Sequence, residues 1–150
     1  MAARFSFSLE TLLRIRQSRE RQQELLWQQA NFQVATVQRQ IEGIQSQIAA
    51  RASRQRRELQ SGWSAAELQF DLLCRTQLQE RLQCLQADLA KARVSQACCA
   101  ENFRRARQQR EVLETLRQQR LQLHRQQVSR QEQRQFDDVF LARRTFGQRG

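Results

Sequence analysis

SGWSAAEL, residues 61–68, combines the signals that end one helix with those that begin another. Gly62 tolerates the left-handed backbone conformation in which many helices terminate. Ser64 and Glu67 have the S-x-x-E spacing of a capping box, in which each side chain accepts a hydrogen bond from the other residue's backbone N–H. The alternative is one uninterrupted helix in which Gly62 costs about 1 kcal/mol. The agreement of the stop and start signals favours a turn.

The composition on both sides of this stretch is typical of long helices. The chain has 150 residues, no proline and only four glycines. Leu, Gln, Glu, Ala and Arg, which all favour helix, make up much of the rest. No apolar run approaches the roughly 18 residues that a membrane span needs, and the N-terminus lacks the pattern of a secretory signal. We therefore expect a cytosolic, all-α protein without direct membrane insertion.

Two apolar stripes with alternating steps of four and three residues flank the turn. This spacing is that of a coiled-coil seam, the line of positions at which two helices meet. The first seam contains Leu9, Leu13, Arg16, Glu20, Gln23, Trp27, Ala30, Val34, Val37, Ile41, Ile44 and Ile48. The second contains Leu78, Leu82, Leu85, Leu89, Ala92, Gln96, Cys99, Phe103, Ala106, Arg110 and Leu113.

A short connection between two such helices predicts a long, monomeric, antiparallel two-helix coiled-coil hairpin that forms a single domain, residues 1–150. We expect that residue i faces about residue 124 − i and that residues beyond about 120 have no partner. The predicted elements are helix 1 at about 7–61, a turn at about 61–64, helix 2 at about 64–143, and a frayed or disordered tail at about 144–150.

The positive charge is concentrated at one end of the predicted hairpin. The net charge is +11, and residues 61–100, with four basic and four acidic side chains, contribute none of it. Residues 1–60 carry ten Arg and five Glu, and residues 101–150 carry twelve Arg and six acidic residues. A basic end suits an acidic protein partner. Nucleic-acid binding is a weaker alternative, because no aromatic platform for bases accompanies the arginines.

The residues that commonly support catalysis or metal binding do not form a recognisable site. The four cysteines lack C-x-x-C spacing and are read as reduced structural thiols, and His124 is read as a seam or surface residue. Asp137 and Asp138 are typical of surface charge. We expect no enzymatic activity, no cofactor and no bound metal.

Both ends of the chain resemble one protein family. The opening FSFSLETLLRIRQSRE and the late stretch RQEQRQFDDVFLARR resemble the corresponding ends of the FliJ family of flagellar type III export proteins. At the start the matching residues are Phe5, Phe7, Leu9, Glu10, Leu12, Leu13, Arg14 and Arg16. At the end they are Arg130, Glu132, Gln133, Phe136, Asp137, Asp138, Arg143 and Arg144.

This resemblance implies a non-enzymatic part in flagellum biogenesis, and hence in motility and chemotaxis. FliJ-like proteins are similar to the central stalk of rotary ATPases and connect a FliI-like export ATPase hexamer to an FlhA-like export gate, with a possible chaperone-escort role. The implied location is cytoplasmic and peripheral to the membrane at the flagellar base. The implied ATPase-binding residues are Phe5, Phe7, Leu9, Leu12, Leu13, Arg14, Arg16, Phe136, Asp137, Asp138, Arg143 and Arg144.

The loop side of the predicted hairpin carries the second expected contact. Trp63, Phe70 and Leu73 are apolar side chains outside the seams, in the segment without net charge. Together with the resemblance, they predict a contact with the export gate that depends little on salt. The alternatives are an injectisome stalk protein of the YscO type, a generic coiled-coil scaffold and a basic nucleic-acid-binding protein.

Overall fold

The computed structural model describes residues 3–149, which form two long α-helices and contain no strand. Helix α1 spans Glu10–Leu59 and helix α2 spans Ala65–Gly147. The two helices run in opposite directions and pack against each other. The prediction of an all-α, antiparallel two-helix hairpin is confirmed.

The turn between the helices has the conformation that its sequence specifies. Gly62 is in the left-handed region, with φ of 83°. The backbone N–H of Ser64 donates to Glu67 Oε2 at 3.0 Å, and the backbone N–H of Glu67 donates to Ser64 Oγ at 3.3 Å. These reciprocal bonds form the capping box and satisfy donors that the first turn of α2 would otherwise leave free.

The helix bounds differ by a few residues from the predicted ones. Helix α1 begins at Glu10 rather than at about 7, because residues 3–9 form a non-helical N-terminal strap. Helix α2 ends at Gly147 rather than at about 143, so most of the predicted frayed tail is helical. Gly150, the last residue of that tail, lies outside the described residues.

One compact unit, residues 21–104, contains the turn and the main apolar core. Val37, Ile41, Ile44 and Leu85 are buried together. Four half-buried neighbours complete this core: Ile48, Leu78, Leu82 and Leu89. Every one of these residues is a seam position of the heptad pattern, so the four–three spacing identified the side chains that meet between the helices.

The other compact unit combines the residues up to Glu20 with those from Arg105 onward. Phe7, Leu13 and Ala106 are buried in it. The Arg110 guanidinium, on the seam, makes ion pairs with Glu20 of α1 and Glu114 of its own helix. Burial alone would lower the pKa of Arg110, but hydrogen bonding and attraction from these carboxylates raise it, so the residue stays charged.

The contacts between the helices follow one antiparallel register within each unit. The residue numbers of contacting partners add to between 122, for Arg51 with Asp71, and 130, for Trp27 with Phe103. Most of these totals exceed the expected 124. Side chains lean toward the N-terminus of their own helix, so each covers a spot about one residue earlier, and the total rises by about two. Contacts consequently continue to His124, beyond the predicted limit of about 120.

Candidate functional site

The N-terminal strap packs its two phenylalanines on α2. The Phe5 and His124 rings lie 5.6 Å apart between centroids, and the Arg117 guanidinium lies 5.9 Å from the centroid of Phe5. The Arg120 guanidinium lies 5.6 Å from the centroid of the buried Phe7. Arginine over an aromatic face is a favourable cation–π geometry. Both rings, expected from the sequence to contact an ATPase, therefore make contacts within the chain.

Polar contacts hold the strap and the first turns of α1 against α2. Arg117 Nε lies 3.0 Å from Glu10 Oε2, and Arg120 Nη1 donates to Ser8 Oγ at 3.0 Å. His124 Nε2 donates to the Ala3 carbonyl at 3.0 Å. Arg117, Arg120 and His124 were not among the predicted site residues, and of the three only His124 lies beyond the predicted limit of pairing at about residue 120.

The other predicted ATPase-binding residues near the N-terminus, at the end of the strap and in α1, divide between the interface and the surface. Leu13 is buried, Leu9 is half-buried, and Arg16 Nη1 donates to Gln109 Oε1 at 2.6 Å. Leu12 and Arg14 are exposed. Of the N-terminal candidates only these two are exposed, and the exposed fraction of Leu12 is 37%.

The predicted residues near the C-terminus lie on a fully exposed part of α2. From residue 129 to residue 149 every side chain is exposed. The predicted members of this stretch are Phe136, Asp137, Asp138, Arg143 and Arg144. Phe136 is twelve residues beyond His124, or about 18 Å along the helix axis, so the structure does not bring the two predicted terminal groups together.

Three further apolar side chains of this stretch were missed from the sequence. Val139, Phe140 and Phe146 are all at least half exposed. Their spacing from Phe136 at three, four and ten residues puts them on the same side of the helix, and this spacing is the signal that could have revealed them.

The predicted gate-binding residues lie on the other compact unit, close to the turn. Trp63 and Phe70 line a cavity of about 570 Å³, with Ala50 and Ala66 among its other lining residues. Leu73 is exposed but does not line this cavity. Two of the three predicted residues therefore share one concave surface.

Charged groups of both helices surround this cavity. The Asp71 carboxylate is nearly buried and lies 3.8 Å from Arg51 and 3.7 Å from Arg75. Arg54 Nε donates to Glu58 Oε1 at 2.9 Å. That hydrogen bond lowers the pKa of Glu58, and Trp63 makes a smaller contribution in the same direction. The cavity therefore has an aromatic wall and a rim of paired charges.

The comparison with protein-family models agrees with the resemblance at the two ends of the chain. The model described as "Flagellar FliJ protein" matches residues 5–150. The chain belongs to the FliJ family. Membership of this non-catalytic family indicates a component of the flagellar export apparatus. Comparison with curated proteins and with solved structures finds no match.

Other chemistry of this FliJ-family chain is limited in the part that the structure describes. No helix there is both long and apolar enough to span a membrane. Within residues 3–149, no group of three or more His, Cys, Asp or Glu side chains is placed to hold a metal ion. All four cysteines are free thiols.

Proposed function

We propose that this FliJ-family chain connects the flagellar export ATPase to the export gate in the manner of a central stalk. The observation that carries the proposal is the family match over residues 5–150, which includes both surfaces described above. The chain would work in the cytoplasm, bound peripherally at the flagellar base. A chaperone-escort role is part of the same proposal and would use these surfaces for reversible contacts.

The ATPase side of the proposal uses the candidates that are accessible. These residues are Leu12, Arg14, Phe136, Asp137, Asp138, Arg143 and Arg144, all of them exposed. Their arginines suit carboxylates on the wall of a ring-shaped partner, because a guanidinium pairs with a carboxylate through two hydrogen bonds. The buried Phe7 and Leu13 would contribute indirectly, since they hold α1 against α2.

The ATPase contact is tested by charge reversal at Arg14. We expect R14E to weaken binding to a FliI-like hexamer about tenfold and to reduce the stimulation of ATP hydrolysis, with a strong dependence on salt. R39E is the matched control, because Arg39 is an exposed α1 residue in the other compact unit and its reversal changes the net charge equally. Equal effects of R14E and R39E would count against this placement.

The gate side of the proposal uses Trp63, Phe70 and Leu73. Phe70 is 68% exposed, and exposed aromatic and aliphatic side chains beside a cavity are typical of a protein contact. We expect the F70A/L73A variant to lose binding to an isolated FlhA-like cytoplasmic domain, and we expect wild-type binding to change little with salt.

The matched control for the gate contact is the pair Phe32 and Leu25 of α1. Phe32 is also 68% exposed and Leu25 is comparably exposed, so F32A/L25A removes the same side chains from another surface. Circular dichroism must first show that both variants are as helical as the wild type. If the control loses gate binding as strongly as F70A/L73A, the contact does not lie at the turn.

A further inference from the structure

The last part of α2 has a helical surface that no other part of residues 3–149 covers. The pairing with α1 and the strap ends before residue 129, whereas the helix continues to Gly147. Phe136 is 75% exposed, Val139 51% and Phe146 77%. Three large apolar side chains on one unpaired helix suggest a surface that binds another helix.

The exposed residues form a regular stripe with charges at defined places. Glu132, Phe136, Val139, Arg143 and Phe146 follow one another at steps of four, three, four and three residues. This is the spacing of a coiled-coil seam. The stripe therefore has one acidic and one basic position, separated by a central apolar pair.

The two charges of the stripe are without partners in the part of the chain that the structure describes. Neither Glu132 nor Arg143 makes an ion pair there. The residues three and four positions away from each are uncharged, so pairing within the helix is not available. Each charge needs a partner from another molecule if the apolar stripe is covered.

The order of residue types along the stripe is self-complementary in the antiparallel direction. We propose that the stripe binds a second copy of this chain, with α2 of one copy antiparallel to α2 of the other. Glu132 then faces Arg143 of the second copy and Phe136 faces Val139. In both cases the residue numbers of the facing positions add to 275.

Two-fold symmetry strengthens this arrangement, because each contact occurs twice. In the same register Phe146 of one copy faces Ser129 of the other, and the half-buried Val128 is the adjacent residue. A parallel arrangement in register would instead place Glu132 against Glu132 and Arg143 against Arg143. The charges therefore favour the antiparallel dimer and disfavour the parallel one.

The dimer is a state of the free protein and does not depend on the proposed role in export. It would cover Phe136 and Arg143, which belong to the surface proposed for the ATPase. Self-association and ATPase binding would then be mutually exclusive at this end of α2.

The test is sedimentation equilibrium of the full chain under reducing conditions, at concentrations up to about 200 µM. We expect a reversible monomer–dimer equilibrium for the wild type. E132R and R143E should each raise the dimer dissociation constant about tenfold or more, because each variant places two pairs of like charges in contact. The double variant E132R/R143E exchanges the charges and should bring the constant back to within about threefold of wild type.

R134E is the matched control. Arg134 is exposed on the opposite side of the same helix, and its reversal changes the net charge as much as R143E does. We expect R134E to dimerise like the wild type, and circular dichroism should show equal helix content for all variants. A wild type that stays monomeric at every concentration would overturn the proposal. So would single variants that dimerise normally, or a double variant that does not recover.

Discussion

The ion pair between Arg110 and Glu20 gives the sharpest test of how the helices are held together. Both side chains lie on the seam, and their exposed fractions are 20% and 17%. Replacing either with leucine removes one charge and adds apolar surface at the interface. The two single variants should nevertheless differ, because the partners left behind are in different situations.

The contacts that remain in each single variant determine how much stability it is expected to lose. In R110L, the Glu20 carboxylate loses the only ion pair that the described residues give it. In E20L, Arg110 keeps Glu114 and the more distant Glu111. Breaking a fully buried pair costs about 3–5 kcal/mol, whereas a surface pair contributes about 0–1 kcal/mol. For one-fifth exposure we expect a cost of about 2 kcal/mol for R110L and about 1 kcal/mol for E20L.

The double variant E20L/R110L separates the contribution of the ion pair to the free energy of unfolding from the contribution of apolar packing at the same positions. With both charges replaced by well-packed apolar side chains, we expect stability within about 1 kcal/mol of the wild type, or above it. Urea unfolding followed by circular dichroism measures all three variants, with unchanged slopes as the check that the same transition is observed. If E20L is less stable than R110L, or the double variant is less stable than both, the reasoning is wrong.

Three further predictions concern the turn, the core and the response to acid. S64A should lower the free energy of unfolding by about 1 kcal/mol, because it removes the side-chain acceptor of the capping box; an unchanged urea midpoint would show that the box contributes nothing. L85A should cost about 2 kcal/mol by opening a cavity in the core, whereas L72A, at an exposed position of the same helix, should change stability by less than about 0.5 kcal/mol. The pKa of Glu58 is lowered from 4.5 in the folded state, so its contribution to stability is present above that value and is lost as the pH falls. The difference in Tm between wild type and E58Q should accordingly become smaller as the pH is lowered from 7 to below 4.5. A difference that is constant with pH would contradict a stabilising role of the Glu58 carboxylate.

The local signals in the sequence were sufficient for the fold. Helix propensity, the four–three spacing and the capping box each act over a few residues, so they could be read without knowledge of the partner helix. They identified the turn at Gly62 and the seam from Val34 to Ile44, and both are present in the structure.

The pairing of individual side chains could not be read in the same way. Counting from the turn placed Glu20 opposite about residue 104, whereas it pairs with Arg110. The offset comes from the lean of side chains along the helix and from the length of the arginine side chain, which depend on three-dimensional geometry. The family resemblance assigned Phe5 and Phe7 to an ATPase contact, and it carried no information on the packing of both rings against α2 that the structure has.

The antiparallel register also has a consequence for the order in which the chain folds. The sequence separation of contacting residues grows from 20 for Arg51 and Asp71 to 121 for Ala3 and His124. Closing a long loop from the unfolded chain costs more entropy than closing a short one. Once one contact has formed, the next contact outward closes only a short additional loop, so its entropy cost is small. We therefore expect folding to begin at the turn and the pairing of the two helices to proceed residue by residue toward the termini. During synthesis on the ribosome, α1 would stay unpaired until α2 has been synthesised. The strap would be the last segment to pack on α2 during folding and the first to detach during unfolding.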